Sequence, residues 1–283
     1  MRIETIGIVG AGTMGMGLAL DIAAHGMNVI LMDNSEKVFD RFYEELSQQL
    51  RLVKMTNQVY RQLKETDVMG RIVLTDKLSE FKSVNMVVEN VTEDFEIKKR
   101  IYKELEKVCQ IETVFAVNTS CISITKIGSL IKTPENVVGM HFMNPVPMKK
   151  FVEIIRGYHS SDETITKAKY LAEKLNKEAV VVNDFPGFVT NRVLMLMINE
   201  CAFLVQDNVA KPQDIDKIFR LGFSHEMGPL ATGDLIGLDT ILNSLIVLYE
   251  SYNDMKYRPC PLLRKMVDAG LLGRKTGEGF FKY

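Results

Sequence analysis

Three observations predict an α/β protein in which a doubly wound parallel sheet is followed by a separate all-helical domain. A short apolar run enters a glycine cluster, Gly10-Ala11-Gly12-Thr13-Met14-Gly15, directly. Through the first 185 residues short β-branched runs alternate with longer amphipathic stretches, the pattern of parallel strands joined by crossover helices. After Asp184-Phe185-Pro186-Gly187 the β runs stop and helical periodicity takes over. These features divide the chain into a first domain over 1–185 and a helical second domain over 186–283.

Taken in order, strands are expected at 5–9, 28–32, 86–88, 113–117, 137–140, 151–155 and 179–182, several of them unbroken apolar runs of the kind that fill the middle of a parallel sheet. Helices are expected between them. The stretch 13–25 ends at Gly26, a residue suited to a helix C-terminus, and 35–55 and 94–110 carry Glu, Lys and Arg on one side with Leu, Ile, Phe and Val on the other. In the second domain 188–208, 212–221, 234–253 and 261–270 read as helices, with Pro212 where a first-turn proline belongs. The glycine-rich tail after Gly273 is expected to wrap back over the helices.

The glycine cluster has the strand–turn–helix context of a dinucleotide-binding, Rossmann-type loop. In that reading Gly10 permits the tight turn, Gly12 lets a pyrophosphate approach the backbone, and Gly15 lets helix and strand pack closely. Thr13 and Met14 open the helix whose N-terminus faces the phosphates. Asp33 lies 18 residues beyond Gly15, where a carboxylate accepts hydrogen bonds from the adenosine ribose and repels a 2′-phosphate, so NAD is favoured over NADP.

Composition narrows the function further. The 283 residues carry 35 Lys+Arg against 36 Asp+Glu, a formal charge of -1, so no basic excess is available for a nucleic-acid backbone. Cys109, Cys121, Cys201 and Cys260 lack metal-ligand spacing, no metal site is expected, and the thiols read as reduced. The N-terminal stretch lacks the basic and apolar pattern of a leader, and the apolar stretches near 193–205 and 235–249 are interrupted by polar or charged residues. A soluble, cytoplasmic protein with no membrane partner is the expectation.

Hydride transfer from an alcohol also needs a base for the proton. His25, before Gly26, and His159, in a polar stretch, read as solvated. His141 follows an apolar strand, so it emerges at a strand's carboxyl end, where open α/β sheets place their ligands. Glu153 interrupts another apolar strand, where a buried carboxylate is costly unless paired. Pairing the two satisfies both: the carboxylate fixes the imidazole tautomer and stabilises the imidazolium formed on proton transfer.

With these residues in place, the chain resembles the L-3-hydroxyacyl-CoA dehydrogenase family along almost its whole length. The likeness rests on the glycine loop, Asn118-Thr119-Ser120, His141-Phe142-Met143-Asn144-Pro145, Val152-Glu153, Pro186-Gly187-Phe188-Val189-Thr190-Asn191-Arg192, Met227-Gly228-Pro229, Gly237-Leu238-Asp239 and the Gly273-to-Gly277 turn. The resemblance implies His141 as general base, Glu153 as its orienting partner, Ser120 on the substrate hydroxyl and Asn191 positioning the substrate. It also implies Glu93, Lys98 and Asn118 beside the cofactor, and a homodimer in which the helical domain supplies the substrate cleft and the dimer contact.

Several positions depart from the common pattern. The region 50–55 retains only Arg51 and Lys54 as cations where CoA-using relatives are richer in lysine, and Cys121 follows Ser120. The phrases at 88–93, 141–147, 178–183 and 257–262 are similar to a branch that oxidises glyceryl or seryl thioesters on acyl carrier proteins to make extender units. The sequence therefore favours an acyl carrier protein thioester, with 3-hydroxybutyryl-CoA as the alternative. A lysine-dependent 3-hydroxy acid dehydrogenase would need a lysine within 188–208, which has none. A non-catalytic NAD-binding protein is the reading from another class.

Overall fold

The computed structural model describes residues 4–283, and the chain divides into two compact units at the Asp184–Phe185 bond. The first unit is built on an eight-stranded sheet with the order β3-β2-β1-β4-β5-β6-β7-β8. Its elements run β1 Thr5–Val9, α1 Thr13–Ala24, β2 Asn28–Met32, α2 Glu36–Thr56, α3 Gln58–Arg61, α4 Glu65–Met69, β3 Ile72–Thr75, β4 Met86–Glu89, α5 Phe95–Val108, β5 Val114–Val117, α6 Ile124–Gly128, β6 Val137–Phe142, β7 Phe151–Arg156, α7 Asp162–Lys174 and β8 Glu178–Asn183.

The order reverses between β1 and β4, from which the chain winds outward in both directions. Ligands bind at the carboxyl ends of strands flanking such a reversal. The central strands β4, β5 and β6 are buried at every position, which is why their sequences are nearly continuous apolar runs rather than alternating ones. One main core covers the sheet: Ile6, Ile8, Leu18, Leu20, Ile22, Leu31, Phe42, Leu46, Leu50, Val88, Val138 and Ile154 all belong to it.

Within the first unit, besides the short helices α3, α4 and α6, three features depart from the sequence expectation. Strand β3, Ile-Val-Leu-Thr, has one buried position out of four and borders Arg71 and Asp76, so this short edge strand carries too little pattern to be read. Strand β7 runs antiparallel to β6, within a sheet expected to be parallel, and returns to parallel pairing with β8. Helix α7, which makes the crossover between β7 and β8, has no counterpart among the expected helices. Its Ser161 side chain caps the Thr164 amide, and Asp162 and Glu163 fill its first turn.

The second unit is helical: α8 Thr190–Gln206, α9 Pro212–Gly222, α10 Pro229–Ile236, α11 Leu238–Tyr252 and α12 Pro261–Asp268. Met195, Ile198, Leu238, Ile241, Leu242, Leu245, Leu248 and Leu263 form its core. The expected single helix over 234–253 is two helices, bent by 97° at Gly237, whose φ of +106° no side-chain-bearing residue adopts easily. The tail folds back within this unit as expected: Asp234 accepts from the Phe280 amide at 3.0 Å and the Phe281 amide at 2.9 Å. Among the described residues no single helix is long and apolar enough to cross a membrane.

Candidate active site

The glycine loop joins the carboxyl end of β1 to α1. Gly10 has φ +94°, and a Cβ there would lie 2.8 Å from the Asn90 carbonyl oxygen in the turn after β4. A Cβ on Gly15 would overlap the Gly10 carbonyl oxygen, so strand and helix approach as closely as the sequence pattern requires. Gly12 differs from both: a Cβ there meets nothing within 4 Å. Its exposed backbone, with Thr13 exposed and Met14 half-buried beside it, opens α1 with no side-chain cap on the helix N-terminus. These residues fit a dinucleotide pyrophosphate, which needs bare backbone amides at a helix start and no Cβ in its path.

Asp33 follows β2 and is half-buried. One carboxylate oxygen accepts from the Ala11 amide at 2.8 Å and the other from the Ser35 amide at 2.9 Å. The carboxylate expected to meet the ribose thus also braces the glycine loop, a link that sequence spacing does not reveal.

His141 and Glu153 come together through strand register. The antiparallel pairing sets His141 opposite Glu153, and Nδ1 lies 3.1 Å from a Glu153 carboxylate oxygen. Both side chains are buried, at 8% and 2% exposure. A carboxylate at Nδ1 keeps the proton on that nitrogen and makes Nε2 the accepting side of the ring. Nε2 faces Ser120, whose Oγ lies 3.3 Å away.

Ser120 sits in the turn after β5. Asn118, at the start of that turn, donates to Asn90 Oδ1 at 2.6 Å and accepts from the Phe142 amide at 3.2 Å, which ties the ends of β4, β5 and β6 together. Glu93, in the turn after β4, accepts from the Thr119 hydroxyl, from the Ser120 amide at 2.9 Å and from the Cys121 amide at 3.1 Å.

Lys98 lies behind Glu93. Expected beside the cofactor, its side chain is fully enclosed, with Nζ 2.7 and 2.9 Å from the two Glu89 oxygens and 3.8 Å from Glu93. A buried ammonium is stable only when paired, and burial pushes the Glu89 carboxyl above its usual range despite that partner. Lys98 therefore neutralises carboxylates beneath the site.

The structure corrects the reading of His25 as solvated. His25 does end α1, but its ring is largely covered, and Nδ1 lies 2.8 Å from the Asp21 carbonyl oxygen and 3.2 Å from the Asp21 carboxylate. Asp21 itself is enclosed among His25, the Tyr60 hydroxyl and Lys177, whose Nζ lies 2.8 Å away. A lone aspartate in the apolar stretch Leu18-Ala19-Leu20-Asp21-Ile22-Ala23 is the available sequence signal for this cluster. His159 is exposed, as expected.

Of the remaining candidates, Arg51 is exposed and Lys54 half-buried on α2, and Asn191 is buried on the first turn of α8.

A reversed sheet with a bare glycine loop, and a histidine–carboxylate pair on neighbouring strands, are the marks of a nicotinamide-dependent alcohol dehydrogenase. Comparison with known proteins narrows that class. Residues 5–185 match the family description "3-hydroxyacyl-CoA dehydrogenase, NAD binding domain", and residues 187–283 match "3-hydroxyacyl-CoA dehydrogenase, C-terminal domain". A probable 3-hydroxybutyryl-CoA dehydrogenase of Bacillus subtilis is 45% identical over 284 residues, covering 100% of this chain and 98% of that one. One from Deinococcus radiodurans is 46% identical over 281 residues, covering 98% and 99%. The solved (S)-3-hydroxybutyryl-CoA dehydrogenase of Ralstonia eutropha superposes with a TM-score of 0.92 at 40% identity, covering 100% of this chain and 99% of that one. The chain belongs to the 3-hydroxyacyl-CoA dehydrogenase family, and its cofactor is NAD.

Proposed function

We propose that this protein oxidises the 3-hydroxyl of a short-chain 3-hydroxyacyl-CoA, with 3-hydroxybutyryl-CoA as the representative substrate. The carrying observation is the His141–Glu153 pair with Nε2 directed at Ser120. The names of the relatives at 45% and 46% identity support the CoA thioester over the carrier-bound glyceryl or seryl group that the sequence favours.

NAD, when bound, would supply the hydride acceptor for the hydroxyl-bearing carbon; the protein's own part is to hold the alcohol and take its proton. His141 Nε2 receives that proton, while Glu153 keeps Nδ1 protonated and stabilises the positive ring. Ser120 holds the substrate oxygen near Nε2, and Asn191 is assigned to substrate positioning through the family pattern of residues 186–192. Gly10, Gly12, Thr13, Met14, Gly15 and Asp33 hold the dinucleotide. Arg51 and Lys54 supply cations for the nucleotide end of the thioester. A cytoplasmic homodimer is part of the same reading, supported by four cysteines outside any disulfide and by exposed Ile218, Leu221 and Phe223 on and just after α9.

The carrier-protein thioester stays as the second reading, because residues 50–55 of α2 offer only Arg51 and Lys54 for adenosine phosphates and a phosphopantetheine arm carries no such phosphates. The test is reduced-nicotinamide formation from NAD with 3-hydroxybutyryl-CoA and with a glyceryl or seryl carrier protein, side by side. Turnover of the CoA thioester alone is the expected result. Turnover of the carrier-bound group alone replaces the substrate, and turnover of neither, with NAD binding intact, overturns the proposed substrate class.

A further inference from the structure

We infer that Glu93 is a positioning residue that sets Ser120 against His141, acting as the anionic anchor of the turn at 118–122. The inference rests on the functional reading above only for its kinetic test. Glu93 belongs to the turn after β4 and Ser120 to the turn after β5, so the contact joins two separate chain segments. One Glu93 oxygen collects three donors from consecutive residues: the Thr119 hydroxyl, the Ser120 amide at 2.9 Å and the Cys121 amide at 3.1 Å.

Thr119 Oγ1 in turn accepts from the Ile122 amide at 2.9 Å, so the turn is closed through the same hydroxyl that Glu93 holds. Amides bound to a carboxylate are held more tightly than amides bound to a neutral acceptor. They fix the backbone on either side of Ser120 and leave its hydroxyl as the group to be aimed. That hydroxyl lies 3.3 Å from His141 Nε2.

The anchor has its own support. Lys98 Nζ lies 3.8 Å from the other Glu93 oxygen and is clamped by Glu89 from below. Lys98 thus places a fixed positive charge behind Glu93 at the rim of the site, where the Glu93 side chain is 41% exposed. A carboxylate acting merely as a cofactor contact has no need of three donors from the serine turn. Its loss would move NAD affinity and leave that turn alone.

The two roles separate by experiment. Glu93→Ala is made alone and in a Ser120→Ala background, with Glu93→Gln as the conservative variant. The readouts are kcat, KM for 3-hydroxybutyryl-CoA, the Kd for NADH by fluorescence, and amide hydrogen exchange across 118–122 by mass spectrometry. An anchor acting through Ser120 predicts a kcat loss of about tenfold to a hundredfold, since displacement on the order of 1 Å is enough to produce it. Glu93→Gln recovers most of the loss because its carbonyl still accepts the two amides, and Glu93→Ala adds nothing once Ser120 is gone. Exchange across 118–122 rises in Glu93→Ala and not in Glu93→Gln. Multiplicative losses in the double variant, a loss confined to NADH affinity, or unchanged exchange overturns the inference. If the unaltered protein does not turn over 3-hydroxybutyryl-CoA, the functional reading fails, and hydrogen exchange still decides whether Glu93 anchors the turn.

Discussion

His141 and Glu153 stand opposite one another on β6 and β7, with the imidazole Nδ1 3.1 Å from the carboxylate. The carboxylate holds a proton on Nδ1 and offers negative charge to the ring when Nε2 takes up a second one. Glu153→Gln preserves shape and a hydrogen-bonding group but removes that charge. Turnover should fall by about a hundredfold with NADH binding unchanged, as for loss of general-base function. Steady-state kinetics and a fluorescence titration of NADH check this; near-normal turnover would sink the assignment of the pair.

Two glycines of one loop should fail in different ways. Gly12→Ala places a methyl group in open space, so thermal stability should stay that of the parent while the Kd for NAD rises at least about tenfold. Gly15→Ala drives its Cβ into the Gly10 carbonyl oxygen, so the fold should lose about 3 kcal/mol before any cofactor is added. Denaturant melts with and without NAD separate the two outcomes.

Asp33→Ala should weaken NAD by about tenfold and narrow its advantage over NADP, because the carboxylate both repels a 2′-phosphate and braces the Ala11 amide. Initial rates with each cofactor give the ratio. An unchanged preference would place the ribose contact elsewhere.

His25 should make stability depend on pH. Burial opposes its charge, but the hydrogen bonds and negative charge of Asp21 outweigh burial and raise its pKa above the usual 6.5. A histidine whose folded pKa is raised contributes fully below the unfolded value and loses that contribution as pH rises through the folded one. The melting-temperature gap between the parent and His25→Gln should therefore be widest at about pH 5.5 and shrink by about pH 8.5. A gap that is flat, or that widens with pH, contradicts the Asp21 pairing.

The middle of the sheet and the chemistry are legible in the sequence for one reason: both depend on patterns that are short along the chain. Buried strands such as 137–142 are continuous apolar runs, and the charged or polar residues that interrupt such runs, His141 and Glu153, stand out against them. What escapes reading depends on long-range pairing. Edge strand β3 has one buried side chain in four, and the reversal of β7 is a property of its neighbours rather than of Phe-Val-Glu-Ile-Ile-Arg. Lys98 looks like any solvated helix lysine until Glu89 is placed beneath it, and Gly237 splits a helix whose apolar period continues on both sides.

The reversal of β7 has a consequence for how the acid–base pair is supported. Because the histidine and its carboxylate are paired by the ladder of two neighbouring strands, their separation is independent of the eight residues, 143–150, that connect those strands. That connection is itself anchored: Val146 is buried in the main core, and Lys177 donates to the Val146 and Lys149 carbonyl oxygens at 2.7 and 2.8 Å. The acid–base pair and the chain that leaves it thus have separate supports, the first the sheet ladder and the second the Lys177–Asp21 pair against α1, so damage to one need not loosen the other.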